Sequence, residues 1–251
     1  MIRNLIVIAV ASFILTVACL AGVAALGGRD LMKNGWTIPA SVFDDGDDNV
    51  SISIGGKDVS GPETSRDLAW TGGDALRVDI PADVAFTQGD AASVTVTGPQ
   101  SLVERVVVVD GSLRFADDGQ GGAHTRFNRE RLRVTIVAPG VKRFIVNGSP
   151  SVTIEGYDQP DMAIEINGSG SLTASGKTQS LALTISGSGD ADLGGLETQD
   201  ASVSLAGSGD AELSPKGAAQ VAIAGSGDVT LLTKPASLSS NIDGSGDLHL
   251  P

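Results

Sequence analysis

The chain has 251 residues, of which 41% are hydrophobic but only 4% aromatic, with 33 glycines; this is enough apolar material for a core, so wholesale disorder is excluded, and small aliphatic side chains favour strands over packed helices. A formal charge of −13 excludes nucleic acid and anionic lipid surfaces as partners, because both require a basic footprint. With Cys19 as the single cysteine, no disulfide can form within the chain and stability must come from packing.

The first thirty residues, MIRNLIVIAVASFILTVACLAGVAALGGRD, carry one early cation, Arg3, followed by an uncharged run from Asn4 to Gly28. The pattern predicts an N-terminal apolar helix over residues 1–30 that acts as a targeting element. It fits a signal peptide, with Gly22 and Ala24 permitting cleavage, and equally a retained signal anchor whose membrane contact is confined to residues 5–26. The stretch Thr16 to Cys19 also resembles a lipoprotein processing box. Either way the bulk of the chain is expected outside the cytoplasm, in the cell envelope, as a periplasmic or membrane-anchored protein. Residues 31–70, with the acidic run Asp44 to Asp48, read as an acidic linker, in which Val50, Ile52 and Ile54 alternate as one short strand would.

From residue 71 onward the sequence is strand-rich. ALRVDIPADVAF, ASVTVTGP, VERVVVVDGSLRF and RLRVTIVAPGVKRFIV alternate or run apolar, and Pro81, Gly98, Gly111 and Pro139 punctuate them. They read as the first, less regular coils of a solenoid that becomes regular toward the C-terminus. No helical pattern of useful length appears after residue 30.

The C-terminal half repeats itself. Corners begin at Gly148 (GSPS), Gly168 (GSGS), Gly187, Gly207, Gly225 and Gly244 (GSGD each), with successive steps of 20, 19, 20, 18 and 19 residues. Around the corners apolar residues alternate: Leu181, Leu183 and Ile185 before one, Ala191 and Leu193 after it; Val203 and Leu205, then Ala211 and Leu213; Val221 and Ile223, then Val229 and Leu231. Period two on both sides gives two short strands per repeat with one face inward. An antiparallel meander has no reason to keep one corner at one phase, whereas stacking puts like residues in columns about 4.8 Å apart. The expected fold is all-β, a right-handed parallel β-helix with coils of ~19–20 residues. Its structural corners are the glycine pairs Gly168 and Gly170, Gly187 and Gly189, Gly207 and Gly209, Gly225 and Gly227, and Gly244 and Gly246.

From about Trp70 to Pro251 the chain resembles the bacterial head GIN domain family, described as auto-transporter adhesin heads. The likeness rests on WTGGDALRVDIPADVAFTQG, VTGP, DGSLRF, VTIVAPGVKRFIVNGSPSVTI and the serial GSGD corners, taken in order. It implies a β-helical envelope protein without an established activity. The expectation from this sequence is that nothing after Pro251 supplies a translocator barrel, so the likeness does not imply that the chain transports itself.

Asp190, Asp210, Asp228 and Asp247 fall in one column, with Asp192 and Glu212 two positions on. Stacked carboxylates must be hydrated, hydrogen-bonded to corner amides or bridged by a cation, so these four are also the calcium candidates. Ser169, Ser188, Ser208, Ser226 and Ser245 occupy the corner centres, where a hydroxyl ladder suits them. Nucleophilic catalysis would need a histidine base, and His124 and His249 belong to no recognisable constellation. Arg129, Arg131 and Arg133 alternate with Leu132 and Val134, placing three guanidinium groups on one strand face, paired with acids, solvated, or bound to anionic envelope polymers. No cofactor is expected. The reading is a non-enzymatic binding and scaffold module, adhesin-like, whose partners are envelope polysaccharide or other envelope proteins. The alternative is a polysaccharide-active lyase or hydrolase, which would need acids and a base converging in a groove.

Overall fold

The computed structural model describes residues 63–116 and 132–251; the N-terminal apolar segment, the Val50 to Ile54 strand and His124 lie outside them. Residues from Ser60 to Pro251 form one compact unit. Its strands in chain order are β1 (Glu63–Leu68), β2 (Ala75–Val78), β3 (Ala82–Gln88), β4 (Ser93–Pro99), β5 (Val106–Val109), β6 (Ser112–Phe115), β7 (Leu132–Ala138), β8 (Arg143–Gly148), β9 (Ser151–Asp158), β10 (Asp161–Gly168), β11 (Ser171–Gly187), β12 (Asp190–Gly207), β13 (Ala211–Pro215), β14 (Ala218–Gly225), β15 (Val229–Leu231), β16 (Ser237–Gly244) and β17 (Leu248–His249). One short helix, α1 (Gln100–Val103), follows β4. β1 lies within the stretch that the sequence reading gives to the linker.

Two parallel ladders make the solenoid. One runs β2, β8, β10, the second half of β11, the second half of β12, β14 and β16. The other runs β3, β9, the first halves of β11 and β12, β13, β15 and β17. β11 and β12, of 17 and 18 residues, serve both ladders by bending where their register shifts, between Thr173 and Gly176 and between Leu193 and Glu197. The corners align in one column, Gly148, Gly168, Gly187, Gly207, Gly225 and Gly244, which is about five turns of a β-helix-like stack.

At each corner the two glycines do different work. The first has positive φ, 137° at Gly207, a conformation that L side chains rarely adopt. The second is not in that region, but a Cβ on Gly209 would run into the carbonyl oxygen of Gly189 in the coil before it. Between them, each serine backbone amide donates to a first-glycine carbonyl one coil back, at 2.8 Å from Ser188 to Gly168 and again from Ser208 to Gly187. The corner ladder is therefore made by serine amides, while the serine hydroxyls face solvent.

Inside, like residues stack in columns. Phe144, Ile164, Leu183, Val203 and Val221 form one, and Val146, Ile166, Ile185, Leu205 and Ile223 another, all buried. Near the start of the stack the core widens around three rings. Phe86 and Phe144 meet edge-on at 5.1 Å and Phe144 meets Tyr157 at 6.1 Å, with the Tyr157 hydroxyl donating to the Asp161 carbonyl.

The lead-in departs from the expected run of irregular coils. β2 lies between β6 and β8, and β3 between β7 and β9, so the earliest coil is sandwiched between segments that come later in the chain. Beyond it the sheet turns antiparallel: β4 pairs with both β7 and β1, and β5 with β6. The β5–β6 turn is an Asp-Gly pair with φ of 50° at Asp110 and 76° at Gly111, the sign pattern of a tight hairpin turn. Among the described residues no helix is long and apolar enough to cross a membrane.

Candidate functional site

The GSGD corner sets an aspartate at the same point of every coil, and the register continues each column through the stack. One column runs Asp83, Ser151, Ser171, Asp190, and on to Asp210, Asp228 and Asp247; the next runs Thr153, Thr173, Asp192, Glu212, Thr230 and His249. Because side chains alternate across a strand, both columns point outward while Ala191, Leu193, Ala211 and Leu213 between them are buried. Serines and threonines therefore fill both columns at the coils of β9 and β11, and carboxylates at those of β12 and β13.

The aspartates are tied to the backbone. The amide of Asp210 donates to Asp190 Oδ1 at 3.0 Å, that of Asp228 to Asp210 Oδ1 at 2.9 Å, and that of Asp247 to Asp228 Oδ1 at 2.8 Å. The carboxylates of Asp190, Asp210 and Asp228 therefore each accept a hydrogen bond from the backbone of the next coil. In the second column the Gly194 amide donates to Asp192 Oδ1 at 3.2 Å. Asp190, Asp192, Asp210, Glu212, Asp228, Thr230 and His249 together line a shallow, open groove. His249 Nε2 stands 3.9 Å from Asp228 Oδ2. Sequence reading passes over His249 and Thr230 as members of this face. Their signal is phase: both sit two residues past a corner aspartate, as Asp192 and Glu212 do.

A second charged edge of the same coils is organised differently. Lys177 reaches Asp158 at 3.1 Å and Lys216 reaches Glu197 at 2.9 Å, so acid and base alternate up the stack. The Lys216 hydrogen bond and its charge, with help from Lys177, hold the Glu197 carboxyl below the ordinary carboxylate range.

The arginine trio is split by what the structure describes. Arg129 and Arg131 lie outside the described residues. Arg133, exposed on β7, aligns with Asp83 and Thr97 and stands 3.9 Å from Glu63, so it sits among acids on a different part of the solenoid from the groove. Among the described residues no group of three or more His, Cys, Asp or Glu side chains is disposed to hold a metal ion; the calcium candidates form a column rather than a cluster.

A β-solenoid with outward polar columns on one face is the class of protein that this fold and site define. Residues 74–235 match the family described as "Putative auto-transporter adhesin, head GIN domain", and the chain belongs to that family. Among solved structures, it is similar to a putative adhesin from Bacteroides fragilis, with a TM-score of 0.64 and 19% identity over 77% of this chain and 99% of that one. It is also similar to a putative lipid binding protein from Parabacteroides distasonis, at a TM-score of 0.45 and 19% identity over 76% and 97% of the two chains. A putative adhesin from the same organism gives a TM-score of 0.41 and 19% identity over 77% and 98%. No curated protein sequence matches the chain.

Proposed function

We propose that this domain is an adhesin-like, non-enzymatic binding module of the cell envelope, a right-handed solenoid held near the membrane by its N-terminal segment, that engages hydroxyl-rich envelope polymers through its aspartate face. The observation that carries the reading is the pair of outward columns, which offer Ser, Thr and carboxylate groups at a repeat of about 4.8 Å along the stack. A repeating polymer meets such a surface through many weak contacts at once, and their sum gives avidity that no single contact supplies. The groove's carboxylates accept hydrogen bonds from sugar hydroxyls and repel polyanions, so the selected polymers are neutral or carry amino groups. Acids spread evenly along a stack also differ from the converging acid and base that glycoside chemistry requires. Membership of the adhesin-described family supports the same reading and an exported location.

The test is retention of the Ser60–Pro251 unit on insoluble envelope polysaccharide and on a glycan array. The triple variant D190N/D210N/D228N keeps the amide acceptors and removes three charges, so its melting temperature is expected to stay within a few degrees of the parent's while retention falls by about tenfold or more. Unchanged retention in the triple variant would remove the aspartate face from the proposal.

A further inference from the structure

We propose that two copies of this chain join end to end through β16, which pairs antiparallel with the same strand of the second copy about a two-fold axis at Ser240. The observation is a break in an otherwise regular pattern. In the inner coils the residues aligned with Leu238 are Leu181, Ala201 and Ala219, and those aligned with Ile242 are Ile185, Leu205 and Ile223; none of the six is more than 5% exposed. In β16 the same inward positions are open, Leu238 at 39% and Ile242 at 42%. Leu250, two residues past Leu248 of β17, is 56% exposed at the same end. Among the described residues β16 has a partner on one side only, β14.

The backbone of that strand is set for a partner. The Ser237 amide donates to Gly217 and that of Ser245 to Gly225, so the odd-numbered residues turn their peptide groups toward the stack. Alternation along a strand then turns the N–H and C=O of Leu238, Ser240 and Ile242 toward the open edge. These are the residues whose side chains lie on the core side. An antiparallel register centred on Ser240 therefore pairs Leu238 with the partner's Ile242 twice and Ser240 with its own copy. It forms about six N–H···O=C hydrogen bonds and covers the exposed apolar side chains in one step.

Charge selects the same arrangement. The chain carries a net charge of −13, so two copies repel unless they meet where carboxylates are few. β16 has a single charge, Asp243, and this register sets it opposite Ser237. A shift by one residue would put Leu238 against Asp243 and turn the free peptide groups out of phase. Head-to-tail joining would instead set β16 against β5, the strand that ends the same ladder at the far end, whereas the two-fold register pairs β16 with itself and leaves β1, with Glu63, Arg66 and Asp67 on the other ladder, out of the contact. The contact is accordingly isologous and closes at two copies.

The test uses the full chain in detergent micelles. On a C19S background, S240C is expected to oxidise to a disulfide-linked dimer, because residues facing each other in a hydrogen-bonded antiparallel pair have Cα atoms about 5.5 Å apart, within disulfide reach. S202C, on the outer face of β12, is expected to stay monomeric on a reducing-agent-free gel. In sedimentation, L238K and I242E alone should each weaken the dimer by about tenfold or more, and L238K/I242E should recover most of it, since each new lysine then faces the other copy's glutamate. At a concentration where the parent is monomeric, thermal melting of the single variants should match the parent's, because both positions are exposed in the single chain. A monomeric parent, no S240C cross-link, or a double variant no better than the singles would overturn the proposal; capture of another protein's strand by a monomeric parent would do the same.

Discussion

The stack from β8 to β17 and the lead-in from β1 to β7 bury similar side chains by different means. In the stack, each coil lies flush on the last because glycine pairs let backbones touch at one edge, and the core is thin columns of Val, Leu, Ile and Ala. In the lead-in there is no repeated corner. The chain instead threads its first coil between later segments, closes the end with antiparallel strands and sets Phe86 in a wider interior against Phe144 and Tyr157 of the first two stack strands, β8 and β9. The first region is held by backbone proximity repeated many times, and the second by a few large side chains. Damage at a corner should therefore differ in kind from damage in the aromatic cluster.

The largest effect is expected from G209A. The added methyl collides with the Gly189 carbonyl oxygen, an atom in the middle of the stack that cannot move without shifting a whole coil. Loss of about 3 kcal/mol or more in denaturant unfolding is expected, against a change within about 0.5 kcal/mol for G73A, where nothing lies within 4 Å of the new methyl. If the two substitutions cost the same, stacking contact at the corner is not what holds the repeat.

F144A comes next. Its ring contacts both Phe86 and Tyr157, and removal leaves a cavity where the core is widest, at a cost of about 3 kcal/mol. Since the stack is built of nearest-neighbour contacts, amide exchange should quicken most in β2, β3, β8 and β9 and least in β14 and β15. Uniform loss of protection along the solenoid would instead make the two regions one cooperative unit.

This contrast also explains what can be read from the residues alone. The parallel stack, its corner glycines and the shared phase of the aspartates are legible because each coil repeats the same local solution, so Asp190 announces Asp210 and Asp228. The placement of β2 between β6 and β8 is not legible, because nothing local to ALRV says which of several apolar strands will lie beside it; that choice belongs to long-range packing. The antiparallel cap is hidden for the same reason, apart from the Asp110-Gly111 turn. His249 escapes notice when its residue type is weighed without its phase in the repeat.

The smallest effects are those of pH, and they differ in sign between the exposed ion pairs and the aromatic cluster. The Arg143 hydrogen bond and charge hold the Asp74 carboxyl below its ordinary 3.8, and Lys216 does the same for Glu197 below 4.5. A carboxyl whose folded value is depressed contributes stability that is present above its unfolded value and lost as pH falls through the folded one. The acid limb of the stability curve should therefore begin to fall below about pH 4.5, and K216M should flatten the Glu197 share of that fall while leaving the Asp74 share in place. Tyr157 acts in the opposite direction. Burial, then the nearby Asp161 charge, pushes its hydroxyl from 10.0 up to about 12, so the folded state holds the proton more tightly. Its contribution is complete below pH 10 and drains away as pH rises from there toward about 12. Chemical unfolding of the parent and of Y157F across that alkaline window should show a downward slope in the parent that the phenylalanine variant lacks. Equal slopes would mean that the ring's hydroxyl titrates alike in the folded and unfolded chain, and that the aromatic cluster is less closed to water than its packing shows.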